Sequence, residues 1–379
     1  MKNASQNIVV NLALSMVTAI LLLLGCKKTI QSHAPITFPS VNVKDYGATG
    51  NGTTDDTQAF NLAMDAADSL QLPVYVPNGF YRAAIRIRHD KQVIVGQQQP
   101  GANLTEGTVI IGKINCANKK YITISNIGID SRGQLQAPAD WAALISGDGL
   151  DSIPLHQNFN HISLIGDGFF QYMHGILCQS GSNIVIKNIT VSYFFHGIAA
   201  RASNVSVDSV NAISCGFTSV IVKSADGANL HTHDVSVNHI NTTGSATDPY
   251  NRAGVVLVQS YVDGSKTENV TVQNVNSTNG GVACVQVEQV AGTIQNVTVQ
   301  NCTSVGQGDI NTRACYDITG GTNITFQNCS AKNSLGYGFR STGDVHNVRV
   351  INSSESNSGA GAWTGNFSYL QLNGIEIIR

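Results

Sequence analysis

A four-residue strand pattern, polar, Ile/Val, polar, Ile/Val/Leu/Phe, recurs along most of this chain and narrows its possible folds more than any other feature. Its copies begin at Gln92, Tyr121, His161, Asn183, Asn204, Asp234, Asn269, Asn296, Asn323 and Asn347. Alternation with a period of two places the branched side chains on one face. The recurrence, every 21 to 40 residues, is that of a repeat architecture. The tightest copies, His161 to Asn183 and Asn183 to Asn204, are 22 and 21 residues apart, too close to admit a helix. Each unit is therefore strand and corner, and only stacking on its neighbours buries its apolar face. Five residues after most strand starts comes an asparagine: Asn126, Asn188, Asn274, Asn301, Asn328 and Asn352. Asparagine tolerates the left-handed backbone of a corner, and its amide can bond the same residue one coil away.

Ahead of the repeats, Val41-Asn-Val-Lys-Asp-Tyr-Gly-Ala-Thr-Gly-Asn-Gly-Thr-Thr-Asp-Asp56 reads as a short strand carried by Val41, Val43 and Tyr46, then a glycine turn. Asp55, three residues before Gln58, has capping-box spacing for a helix over 55–70. Phe60, Ala63, Met64 and Ala67 give that helix one apolar face. Val74-Tyr-Val-Pro-Asn-Gly-Phe-Tyr81 follows as strand, turn and strand. The segment 41–81 resembles the entry motif of the pectate lyase superfamily, which includes polygalacturonase-related hydrolases, polysaccharide lyases and mannuronan epimerases. The resemblance implies an all-β, right-handed parallel β-helix with an N-terminal capping helix, spanning 41–379 as one domain. It also implies a polysaccharide substrate. It transfers no catalytic residue. The Asn-Thr-Asp, Asp-Asp, Gly-His-Gly and Arg-Ile-Lys signatures of the hydrolases, and the Asp-Pro-His-Glu of the epimerases, are missing from the positions where they would act.

The N-terminus reads as a targeting segment. Lys2 precedes an apolar run from Ile8 to Leu24, and Leu23-Leu24-Gly25-Cys26 resembles a bacterial lipobox. On this reading 1–25 is a lipoprotein signal peptide, Cys26 is lipidated, and 26–40 tethers the domain to a bacterial membrane, the outer one, on its periplasmic or cell-surface side. An ordinary signal peptide or a retained membrane helix is the alternative. The formal charge of −2 argues against a nucleic-acid partner. With 12% charged residues and 37 glycines the chain is a turn-rich β protein. Seven cysteines remain after Cys26, none in a Cys-x-x-Cys pair, so they read as structural thiols and no metal site is expected. No cofactor is expected either, with Ca2+ left open.

Insertions into minimal coils point to the face where a solenoid carries function. Here they fall at Asp226 to His233, Thr242 to Arg252 and Val305 to Arg313, all flanking one strand of the coil. That strand ends in a polar column, Gln179, Arg201, Lys223, Gln259 and Gln286, with Glu288 just beyond. Arg201 and Lys223, 22 residues apart, are expected side by side on one surface. They form a carboxylate-binding strip, or they splay into water or are neutralised by Asp226. His174 and His196 open successive coils as Met-His-Gly-Ile and Phe-His-Gly-Ile, a stacked acid/base pair or corner packing. In the longest insertion, Tyr250 is a candidate sugar platform or acid and Arg252 a carboxylate holder, beside Asp248. Asp130, Asp140 and Trp141 mark an earlier insertion.

These residues suit β-elimination on a uronate polymer. That reaction needs a base at the C5 proton, neutralisation of the adjacent carboxylate and a proton donor to the leaving oxygen. Lys223, Arg201 and Tyr250 or His233 are the candidate catalytic residues, with Gln179, His196, Asp226, His231, Asp248, Arg252, Gln259, Gln286, Glu288 and Arg313 as substrate contacts. A glycoside hydrolase is the first alternative. It needs two carboxylates about 5–9.5 Å apart, from Asp226, Asp248, Glu288 and Asp317. A non-catalytic glycan-binding or structural surface solenoid is the second.

Overall fold

The computed structural model describes residues 39–135, 142–147, 154–167, 173–224, 231–243, 255–278, 283–306 and 314–378. Cys26, Asp140, Trp141, Asp226, Asp248, Tyr250, Arg252 and Arg313 lie outside them. The repeats stack as a right-handed parallel β-helix. Each coil of the central part contributes one five- or six-residue strand and one long bent strand. The short strands, among them His174–Cys178, His196–Ala200, Thr218–Lys223, Val256–Ser260 and Val285–Gln289, pair in parallel, each with the next. The long ones, Ser182–Ser192, Ser203–Ile213, His231–Thr243 and Lys266–Thr278, do the same. Inward positions repeat from coil to coil, as in Val235↔Val270↔Val297↔Ile324↔Val348, and all five are at most 1% exposed.

The asparagine corners take the left-handed backbone, with φ of 47–58° at Asn126, Asn188, Asn274, Asn301, Asn328 and Asn352. A second left-handed corner, which the strand pattern hid, lies at the strand starts themselves: Asn183, Asn204, Asn269, Asn296, Asn323 and Asn347 have φ of 49–61°. Their amides form a ladder. Asn296 Nδ2 donates to Asn269 Oδ1 at 3.1 Å, Asn323 to Asn296 at 3.1 Å and Asn347 to Asn323 at 2.8 Å. The seven described cysteines are free thiols, and burial pushes Cys178 and Cys215 up to about 12, which keeps them protonated and inert.

The N-terminal end differs in detail from its expected form. Only Val41–Asn42 is strand, and Val43–Tyr46 turns as a 3-10 helix, because Asn42 accepts from the Lys44 amide and Gly47 closes the turn at φ 98°. The capping helix runs Thr57–Leu70 and buries Ala59, Phe60, Ala63, Met64 and Ala67. Of the two adjacent acids, Asp55 accepts from the Thr57 amide at 3.0 Å. Asp56 turns back instead: its carboxylate accepts from the Thr49 amide at 2.7 Å, the Thr49 hydroxyl at 3.1 Å and the Gly50 amide at 3.1 Å, which ties the glycine turn shut. At the other end the coils persist past residue 355. Gly361–Gly365 still pairs in parallel with Tyr337–Ser341, and closure comes only where Ile375–Ile378 turns back antiparallel on Tyr369–Leu372.

Candidate active site

The short strands carry two faces. Ile176, Cys178, Ile198, Ala200, Val220 and Val222 belong to the inner core, whereas Leu177, Ala199, Ile221 and Leu257 form a separate outer apolar row, at most 2% exposed. Arg201 and Lys223 share the parity of Ala199 and Ile221 and so project outward. They are also in register: Ala200 pairs with Val222, and Lys223 continues to Gln259. The Arg201 amide donates to the Cys178 carbonyl at 2.8 Å, which sets Arg201 opposite Gln179.

The far end of the column departs from the expected order. Gln259 pairs with Glu288, and its Nε2 donates to Glu288 Oε2 at 2.6 Å. Gln286 pairs with Leu257 and Asp317 instead, and so continues the outer row rather than the column. The physical reason is the inward valines. Val256 and Val258 stack on Val285 and Val287, and that packing fixes the register.

The histidine pair and the cationic column, separate candidates in the sequence, meet here. His174 and His196 pair across adjacent coils, with rings stacked 4.9 Å apart at 11°. A Cβ at Gly175 would stand 2.6 Å from the Gly197 carbonyl oxygen and 2.7 Å from core Val191, so only glycine lets the strand close on the core at that point. With Gly175 turned inward, His174 is carried to the outer side. Arg201 reaches back toward it, and its Nη2 lies 3.4 Å from His174 Nε2. A guanidinium only donates, so His174 Nε2 accepts and its proton sits on Nδ1. His196 Nδ1 lies 3.1 Å from the Thr218 hydroxyl. Burial, first of all, and then His196, Arg201 and Lys223 hold His174 well below the usual imidazole range. Burial followed by Arg201 and Lys223 does the same to His196. Both rings are neutral at neutral pH.

Beside Lys223 stands a residue that the sequence reading passed over. Lys223 Nζ lies 4.5 Å from the ring centroid of Tyr261, which is half-exposed. Tyr261 follows directly on the strand Val256–Ser260, two residues beyond Gln259, a spacing visible in the sequence.

His231 and His233 flank the column around the next corner. Thr232, between them, donates to the carbonyls of Arg201 and Lys223 at 3.1 and 3.2 Å. Both rings are engaged. His231 Nε2 meets Glu268 Oε1 at 2.6 Å, and His233 Nδ1 meets Asp234 at 2.8 Å. Burial raises Glu268, but bonds from Lys266, Gln295 and His231 outweigh it and bring the carboxyl down to about 2. A carboxylate with a depressed folded pKa contributes stability above its unfolded pKa and loses it as pH falls through the folded one. The melting temperature of Glu268→Gln should therefore fall below that of the unaltered protein at neutral pH. The gap should close between pH about 4.5 and about 2, read by thermal melts of both proteins across that range. Of the remaining acids, Asp317 is fully buried and held by two 2.7 Å bonds from Arg340, and Asp130 is paired with Arg132.

Comparison with known proteins agrees with this architecture. The chain is 26% identical over 245 residues to the plasmin and fibronectin-binding protein A of Streptococcus pneumoniae, covering 62% of this chain and 30% of that protein. It is 52% identical over 44 residues to alginate lyase 7 of Azotobacter vinelandii, covering 11% of this chain and 5% of that one. The chain thus spans less than a third of the length of either relative. Among solved structures, the A-module of a mannuronan C-5 epimerase from Azotobacter vinelandii superposes with a TM-score of 0.55 at 16% identity, covering 88% of this chain and 98% of that one. A hyperthermoactive exopolygalacturonase from Thermotoga maritima gives 0.54 at 11%, covering 90% and 93%. These likenesses speak to the fold. The rhamnogalacturonase A/epimerase, pectate lyase-like profile matches residues 40–360, and the chain belongs to that family.

Proposed function

We propose that this protein is an extracytoplasmic lyase that cleaves a uronate-containing polysaccharide by β-elimination. The observation that carries the reading is the in-register pair Arg201 and Lys223 on the outer face, with Tyr261 against the lysine. Arg201 cannot give up a proton, so its role is to neutralise the C6 carboxylate. Lys223, in its uncharged amine form, takes the C5 proton. The C5–H electron pair forms the C4=C5 double bond, the C4–O4 bond breaks, and the Tyr261 hydroxyl gives O4 its proton. Proton exchange with water restores both groups, and no redox step occurs.

Among the described residues the hydrolase alternative finds less support, because Asp317 is paired with Arg340 and Glu288 accepts from Gln259. A second reading, a non-catalytic surface-binding solenoid, draws support from the similarity to the streptococcal plasmin- and fibronectin-binding protein. Incubation with polygalacturonate, alginate and neutral glycans separates the three. New ultraviolet absorbance of an unsaturated uronate means a lyase, reducing ends without it mean a hydrolase, and neither product with retained binding means the surface binder.

The lipobox-like Leu23-Leu24-Gly25-Cys26 supports anchoring through a lipid on Cys26. Cys26→Ser expressed in a Gram-negative host should move the protein from the membrane to the soluble fraction, since the acyl chains supply most of the membrane affinity. Unchanged fractionation would remove the lipid from the proposal.

A further inference from the structure

The amide ladder at the strand starts breaks off toward the N-terminus. From Asn183 onward its rungs are Asn or Asp. The three rungs before are Lys91, Tyr121 and His156, at φ 62°, 59° and 50°. They are consecutive: the Lys91 amide donates to the Lys120 carbonyl at 2.8 Å, and the Tyr121 amide to the Leu155 carbonyl at 2.7 Å. A left-handed backbone is costly for a bulky residue and persists where something else is gained. What replaces the amides is a flat aromatic surface. The Tyr121 and His156 rings stack 4.9 Å apart at 2°, and Tyr121 is 52% exposed.

Lys91 joins this stack to a cavity. A space of about 710 Å³ opens between the end of the capping helix and the first coils, with Arg88, His89, Lys91, Asn118 and Lys119 on its wall. The acids there are engaged: Asp68 lies 3.6 Å from His89 Nδ1, and Asp90 accepts from the Lys120 amide at 2.9 Å. Arg88 is matched by Asp65. Lys91 and Lys119 have no ion-pair partner among the described residues.

We propose that this end of the solenoid is a second glycan site, separate from the Arg201–Lys223 column, that holds an acidic oligosaccharide segment. The sugar's C–H face lies on Tyr121, and its carboxylates meet Lys91 and Lys119. A neutral glycan gains only the stacking. The choice of a uronate as the acid rests on the proposed function, whereas the aromatic and cationic site does not.

Electrophoresis of the full chain through gels containing polygalacturonate, alginate or dextran tests it. The unaltered protein should be retarded in at least one acidic gel and not in dextran. Tyr121→Asn restores the residue the ladder uses elsewhere, so it should leave the melting temperature unchanged while weakening retention at least fivefold. The Lys91→Ala, Lys119→Ala double variant should weaken it as much. The site is overturned if the unaltered protein passes both acidic gels freely, or if Tyr121→Asn is retained normally. Retention that disappears with Lys223→Ala instead would assign binding to the column. Retention that depends on Tyr121, without any unsaturated product, would sink the lyase reading and leave this site standing.

Discussion

Lys223→Ala should lower turnover of the cleaved polymer by about 10²–10⁴-fold, the range a positioned general base supplies, with the melting temperature unchanged. The side chain projects outward and contributes nothing to the inner core, and outward solenoid positions generally shift stability little. Arg201→Ala should act differently. Its guanidinium is proposed to grip a carboxylate in the ground state and the transition state alike, so KM should rise more than kcat falls. Arg201→Lys should recover little of this, because an ammonium cannot make two parallel bonds to a carboxylate or span the distance to His174 in the same way. Initial-rate measurements on each variant separate the two roles. Full activity in both would move the chemistry off this column, toward the early insertion that contains Asp130.

The fold was readable because two local rules agreed. Period-two Ile and Val demanded a buried face, and asparagine supplied the left-handed corners that a coil of 21 or 22 residues needs. Outward parity of Arg201 and Lys223 followed from the same alternation. The column's far end was not legible from the alternation alone, because Gln286 and Glu288 share the same parity. Aligning the inward Val256 and Val258 with Val285 and Val287 would have set Glu288, not Gln286, beside Gln259. The Arg201–His174 contact was not legible at all. These residues belong to opposite ends of neighbouring short strands, and only a long side chain joins them. Nor did the sequence distinguish the two adjacent acids of the cap, since which carboxylate turns toward the Thr49 and Gly50 amides depends on the path of the glycine turn.

The alternation itself admits a sharp test at neighbouring residues. Val270 is fully buried between Val235 and Val297, while Thr271 next to it faces outward between Ser236 and Thr298. Val270→Asp puts a carboxylate where no donor stands, and burying an unpaired charge costs several kcal/mol even after its pKa has shifted. Whole domains are stable by about 5–15 kcal/mol, so the variant should melt far lower or fail to accumulate in folded form. The loss should spread, because each coil leans only on its neighbours and a damaged rung exposes the faces above and below it. Val270→Ala, which removes apolar volume without adding charge, should cost about 1.5–3 kcal/mol by lost burial and the cavity left behind. Thr271→Asp should stay within about 0.5 kcal/mol of the unaltered protein. Urea denaturation of the three variants reads all of these values. Similar losses at 270 and 271 would mean that inward packing of alternate residues is not what holds the coils together.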